Sequence, residues 1–189
     1  HVDPLVDPVE THRLRTDAIL GAQAVGFDGV DKRIDVIATA MRAGLSASDL
    51  ADLELAYAPQ FGSAKDPVNL IGMVADNVAT GERTIQWYDV ASAIEDGATL
   101  VDVRSRAEFA AGAIPEAMNL PLDELRERAG EIPSGRVIVA CAVGQRGHTA
   151  GRLLTHLGRD VANLDGGYRT WLAAQGVTSP AESGLAPAL

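Results

Sequence analysis

The stretch Arg136-Val137-Ile138-Val139-Ala140-Cys141-Ala142-Val143-Gly144-Gln145-Arg146-Gly147 decides how the C-terminal half of this 189-residue chain folds. Val137 to Ala140 form a short apolar run that does not alternate with polar residues. That pattern predicts a strand buried on both faces, as in a parallel sheet. Cys141 follows directly, and a helix is predicted after Gly147, running to about His156. In open parallel sheets, ligands bind at the C-terminal ends of strands. A loop there, wrapped around a helix start, points its backbone N–H groups inward and makes an anion cradle. Glycines let such a backbone turn tightly and approach a ligand. A thiol in that cradle is stabilised as thiolate, and Arg146 adds positive charge close by. Cys141 is therefore the candidate nucleophile and Arg146 its charged partner. Ala142, Val143, Gly144, Gln145 and Gly147 form the candidate substrate-binding loop. The competing reading is a strand-end cysteine that packs as a small hydrophobe.

Outward from this loop, strands and helices alternate. Trp87 to Glu95 reads as a helix ended by Asp96-Gly97, and Thr99-Leu100-Val101-Asp102-Val103 as an apolar strand. Ser105-Arg106-Ala107-Glu108 is a capping box before a short helix. Ala117 to Leu120 is a weak strand, Leu122 to Arg128 a short helix, and Val161 to Leu164 the last strand. Gly166-Gly167 then opens a helix through Trp171 to Gln175. These elements predict an α/β domain over 87–178, with a mainly parallel sheet flanked by helices. The Pro/Ala/Ser-rich residues 179–189 are expected to be a flexible tail.

The first 80 residues read as an α+β domain. Leu14 marks one strand and Ala18 to Gly26 a second, with a turn at Thr16-Asp17. Val30, Ile34, Ile37, Ala38 and Met41 recur at helical spacing, and Gly44 is a C-terminal cap. Ser46 to Asp49 resembles a capping box opening a short helix at Leu50 to Leu53. Ala56 to Ser63 has no period. Pro67 starts another helix, carrying Leu70, Ile71, Val74 and Val78. Residues 81–86 are the expected linker.

Composition narrows the function. With 26 acidic and 16 basic residues the net charge is -10, which argues against a general nucleic-acid or anionic-membrane binder. A single cysteine excludes an intramolecular disulfide and a cysteine-rich metal site, and fits a reducing compartment such as the cytoplasm. No signal peptide is visible at His1-Val2-Asp3-Pro4, and no apolar run approaches a membrane span. His1, His12 and His156 lack metal-ligand spacing, and His148 at the helix start is expected to be solvated. No Gly-x-Gly-x-x-Gly follows a strand, so no dinucleotide fingerprint is seen.

Loop length separates two reactions. A phosphate-cradling loop, as in cysteine phosphatases, spaces Cys and Arg by five residues; here four lie between Cys141 and Arg146. A tighter ring suits one sulfur atom carried on the cysteine. Together with Leu100 to Arg104, Glu108-Phe109, Gly112 to Leu122 and Leu164 to Trp171, the loop resembles a rhodanese domain over roughly Thr84 to Val177. Ala113 departs from the pattern, where many relatives have His. The resemblance implies that Cys141 carries a persulfide, that Asp102 and Arg104 brace the loop, and that Gly166 and Gly167 permit close packing beside it. It implies thiosulfate or persulfides as donors, and cyanide or thiols such as the CoA thiol as acceptors, without a metal.

A second resemblance lies upstream, in Gly21 to Gly26, Gly29 to Ala40, Leu53 to Phe61 and Ala64 to Asn69. About Leu14 to Thr80 is similar to the dimerisation domain of pyridine nucleotide-disulfide oxidoreductases, and most similar to coenzyme A-disulfide reductases and related NADH oxidases. Some of these carry a C-terminal rhodanese domain. The resemblance implies a homodimer through residues 1–80, with Tyr57 reaching an active site across the interface. It implies FAD, NAD(P)H and CoA for a parent enzyme, and no cofactor for this portion. The alternative is a non-catalytic dimerisation and docking module.

Overall fold

In the computed structural model, residues 17–24, 26, 29–60 and 62–176 are described. They form two compact units that divide between Glu82 and Arg83.

The first unit is built on two helices, α1 (Val30–Ala43) and α2 (Pro67–Ala79). Gly44, at φ 77°, closes α1 in the left-handed conformation that glycine adopts without steric penalty. Ser46 and Asp49 cap each other reciprocally, and the box heads a tight 3-10 turn, Ser48–Asp52, rather than an α-helix. Pro67 starts α2, as its fixed φ allows, and the Asp66 carboxylate accepts from the Val68 N–H. The buried Asn69 side chain donates to the carbonyls of Leu50, Ala51 and Leu53, tying α2 to that turn. Ile37, Ala40, Leu50 and Val68 form a small core.

The strand expected at Ala18 to Gly26 does not form; only Ala18 makes an isolated antiparallel bridge, to Ser46. The segment is rich in Ala and Gly, which are poor strand formers. The strand marked by Leu14 lies outside the described residues, as does the expected tail.

The second unit is a five-stranded sheet in the order β1-β5-β4-β2-β3, with every pairing parallel. The strands are β1 (Thr84–Ile85), β2 (Thr99–Asp102), β3 (Met118–Asn119), β4 (Val137–Ala140) and β5 (Val161–Leu164). Helices α3 (Val90–Glu95), α4 (Arg106–Ala110), α5 (Leu125–Arg128), α6 (Gln145–His156) and α7 (Gly167–Ala173) follow them in turn. The expected helix from Trp87 begins as a 3-10 turn, Trp87–Asp89, before α3.

Two apolar clusters explain why β4 shows no alternation. Val137, Val139 and Cys141 join one cluster, with Leu125 of α5 and Ala150 and Leu154 of α6. Ile138 and Ala140 join the other, with Val90 and Ala93 of α3 and Tyr168 and Trp171 beside them. Successive side chains of a strand point to opposite faces, and here both faces are covered. Fully burying each Val or Ile contributes about 1.5–3 kcal/mol, so the cysteine loop hangs from the best-buried strand of the sheet.

Thr84 and Ile85, expected in a linker, pair with Asn163 and Leu164 as the sheet edge. A two-residue strand has no periodicity to read. Helix α6 starts at Gln145, not after Gly147, because Gly144 at φ 103° turns the chain straight into it.

Candidate active site

Strand β4 ends at Ala140 and delivers Cys141 to the C-terminal edge of the sheet. Cys141 is only 1% exposed, and it shares its cluster with Val101, Val103 and Leu120. Its Sγ also has a polar contact: the Gly144 N–H donates to it at 3.1 Å. The sulfur thus has aliphatic packing and an inward-pointing amide together, so each of the two sequence readings describes part of its surroundings.

The Gly144 carbonyl accepts from the His148 N–H at 2.8 Å and from Asn163 Nδ2 at 3.1 Å. A peptide is planar, so the Gln145 N–H points opposite to that carbonyl, out of the N-terminus of α6. The first-turn amides of this 12-residue helix have no acceptor within it, and the helix dipole adds positive potential there.

The loop is held from behind by the start of α7. The Tyr168 N–H donates to the Cys141 carbonyl at 2.7 Å, and the Arg169 N–H to the Ala142 carbonyl at 3.1 Å. Gly167, at φ 60°, makes this approach possible: a Cβ there would lie 2.5 Å from the Cys141 oxygen and 2.8 Å from the Val143 nitrogen. A Cβ at Gly166 would instead collide with the side chain of Thr170 in its own turn. Close packing on the loop therefore falls to Gly167 rather than Gly166. Gly147 is buried because Asn163 occupies the space a side chain would need. Val143 and Gln145 face outward, exposed.

Asp102 and Arg104 form a buried ion pair at 2.6 Å, with side chains 1% and 5% exposed. Arg104 Nη2 also donates to the Gly112 carbonyl at 2.7 Å, and the guanidinium lies 4.0 Å from the Tyr168 ring centroid. The Tyr168 N–H bonds the Cys141 carbonyl, so one residue stands between the pair and the loop. Charge burial is tolerated here because the ions are paired and further hydrogen-bonded.

Arg146 makes a two-pronged ion pair with Glu108, at 2.8 and 2.7 Å. Glu108 also closes the capping box with Ser105. The Arg146 guanidinium, with the Ser105 N–H, holds the Glu108 carboxyl down at about 2, from an ordinary 4.5. Glu108 in turn raises the Arg146 pKa, with smaller contributions from Cys141 and Asp102. The positive charge expected beside the sulfur is therefore shared with a carboxylate.

Glu108, Asn163 and Tyr168, which bond residues of the loop, lie outside the site residues expected from the sequence. In the sequence Glu108 is a helix cap and one of the residues that carry the rhodanese resemblance, and Asn163 is part of a strand. Nothing local marks either as a neighbour of the loop. In the first unit, Tyr57 is 55% exposed and lines a cavity of about 460 Å³ with Lys32, Arg33 and Lys65. Ile37 is core, Ile34 is half-buried, and Leu70, Ile71 and Val74 of α2 are exposed. His156 lies in the last turn of α6; His1 and His12 lie outside the described residues. Among the described residues, no group of three or more His, Cys, Asp or Glu is placed to hold a metal, and no helix is long and apolar enough to cross a membrane.

Residues 87–174 match the rhodanese-like domain family. The crystal structure of reduced Bacillus anthracis CoADR-RHD is 47% identical, with a TM-score of 0.74, over 76% of this chain and 26% of that one. A NAD-dependent persulfide reductase from A. fulgidus is 39% identical, with a TM-score of 0.67, over 77% of this chain and 26% of that one. Coenzyme A disulfide reductase of Staphylococcus aureus (strain bovine RF122 / ET3-1) is 51% identical over 57 residues, 30% of this chain and 13% of that protein. The chain thus spans about a quarter or less of the length of these relatives. The sheet order, the cysteine at the end of β4 and the family match lead to one identification: residues 87–174 are a rhodanese-like domain.

Proposed function

We propose that the second unit is a sulfurtransferase module that carries sulfane sulfur on Cys141. The observation that supports this most is the Gly144 N–H aimed at Cys141 Sγ from a strand-to-helix turn. Preorganised amide donors stabilise charge that develops on a reacting atom without reorganising. The Cys141 thiolate attacks the outer sulfur of a donor. With thiosulfate, the donor S–S bond breaks and sulfite leaves with its electron pair; with a persulfide, a thiolate leaves. The outer sulfur stays on Cys141 as a terminal S⁻ or SH beside the loop amides. An acceptor thiolate or cyanide then attacks it, the Cys141–S bond breaks, and the thiolate returns. Arg146, paired with Glu108, stands at the loop mouth, while Asp102, Arg104 and Gly167 keep the loop in place.

We further propose that the first unit is the dimerisation portion of an FAD- and NAD(P)H-dependent CoA-disulfide, CoA-persulfide or polysulfide reductase, acting in the cytoplasm. Residues 87–174 are fewer than half of the chain, whereas similarity to the Bacillus protein covers 76% of it, so the likeness extends into the first unit. The exposed stripe Leu70, Ile71 and Val74 suits a seam between two copies, from which Tyr57 would reach the partner's site. Among the described residues, the glycines of the strand-to-helix turns are taken up locally: Gly144 meets Cys141 Sγ, Gly167 packs on the cysteine loop and Gly166 on Thr170. These turns do not fit flavin or nicotinamide.

Intact-mass measurement after adding thiosulfate or glutathione persulfide tests the sulfur-carrier reading. One added sulfur atom is expected, lost on adding cyanide and absent in Cys141→Ser. A gain that survives Cys141→Ser would defeat it. The near-complete burial of Cys141 favours a second reading, a docking module in which the cysteine only packs. No sulfur gain with any donor, together with normal self-association, would establish that alternative.

A further inference from the structure

From the Glu108–Arg146 pair we infer that Glu108 is a specificity-determining residue, selecting organic persulfides with no charge beside the sulfur over the thiosulfate dianion. The inference rests on the sulfur-carrier reading above and names the substrate class for that site. Arg146 lies in the first turn of α6, two residues after the glycine whose N–H meets the sulfur. Left alone, its guanidinium would offer a planar, two-pronged seat for an oxyanion such as the sulfonate end of thiosulfate. Glu108 already fills that seat, with each carboxylate oxygen on a separate guanidinium nitrogen.

The carboxylate is fixed in place rather than passing by. It closes the Ser105 capping box, accepting from the Ser105 N–H at 3.0 Å and from its hydroxyl at 2.9 Å. Its depressed pKa of about 2 keeps it charged at any pH at which the enzyme would work. The Asp102–Arg104 pair is internally neutral. Arg169, exposed beside the loop, is a further basic residue there and is unaltered in the comparison below. A thiosulfate approaching the loop brings two negative charges next to the reacting sulfur and finds the Arg146 charge already matched by Glu108. An organic persulfide presents carbon at that position.

The step balances for either donor. Thiolate and thiosulfate give enzyme persulfide anion and sulfite. Thiolate and a hydropersulfide give enzyme hydropersulfide and the donor's thiolate. Only the charge brought to the mouth differs.

The test is Glu108→Gln in the full chain. Glutamine keeps the side-chain length and can still accept from Ser105, since Gln also serves in a capping box. It removes the charge and, with it, one of the two acceptors that hold Arg146. Rates of Cys141 persulfide formation are measured with thiosulfate and with 2-hydroxyethyl persulfide. The thiosulfate-to-persulfide ratio of kcat/KM is expected to rise by about fivefold, the scale of one partly exposed charge interaction. The rise should shrink with added salt as screening shortens the field. Ser105→Ala, which loosens the cap but leaves the charge, should leave the ratio unchanged. A ratio unmoved by Glu108→Gln, or moved equally by Ser105→Ala, overturns the inference. Absence of persulfide on the unaltered chain with both donors would instead overturn the sulfur-carrier reading itself.

Discussion

Replacing Gly167 by alanine should unseat the cysteine loop while leaving the sheet assembled. Gly167 sits at φ 60°, where a non-glycine residue costs about 1–2 kcal/mol. The added Cβ would also lie 2.5, 2.8 and 2.9 Å from the Cys141 oxygen, the Val143 nitrogen and the Ala142 carbonyl carbon. All three are backbone atoms of the loop, so relief requires moving the loop away from α7. Overpacking of this kind costs about 1–3 kcal/mol, for a total near 2–5 kcal/mol. Gly158→Ala supplies the control: φ is 80°, and nothing lies within 4 Å of the new methyl group. It should lose only the conformational part, about 1–2 kcal/mol. Both tryptophans of the chain, Trp87 and Trp171, pack in the second unit, so urea unfolding followed by their fluorescence reports that unit alone. Gly167→Ala should also lose most of its persulfide formation at urea-free equilibrium, whereas Gly158→Ala retains it. Equal stability and equal sulfur loading in the two variants would refute the claim that close approach at Gly167 shapes the loop.

Other perturbations have definite signs. Arg104→Met strips the partner from the buried Asp102 carboxylate, and breaking a buried pair costs about 3–5 kcal/mol in the same urea assay. Adding Asp102→Asn removes the stranded charge and should recover part of that loss. The Glu108 carboxyl has a folded pKa of about 2, below its ordinary 4.5, so its stabilisation is fully present above about pH 4.5 and is lost as pH falls towards 2. Both partners are more than a third exposed, which limits the effect to below about 1 kcal/mol. The stability difference between the unaltered chain and Glu108→Gln should therefore shrink as pH falls from 4.5 to 2, and a difference that stays constant across that range would contradict the assignment.

What the sequence alone determined is what neighbours in the chain decide. The apolar run Val137 to Ala140 needs burial on two faces, so it dictates a covered strand whatever surrounds it. Gly44, Pro67 and the Ser105–Glu108 box mark helix ends through hydrogen bonds and dihedrals internal to a few residues. The strand-loop-helix setting of Cys141 was legible for the same reason, because cysteine, glycines and helix start are contiguous. Tertiary structure decided whatever depends on distant residues meeting. Glu108 and Arg146 are 38 residues apart, and Asn163 and Gly144 are 19 apart. Gly167 matters because α7 packs against a loop more than twenty positions earlier. Thr84–Ile85 becomes a strand only because β5 offers its open edge. A two-residue segment carries too little intrinsic preference to choose a conformation, and a charged side chain carries no local mark of the partner that will neutralise it.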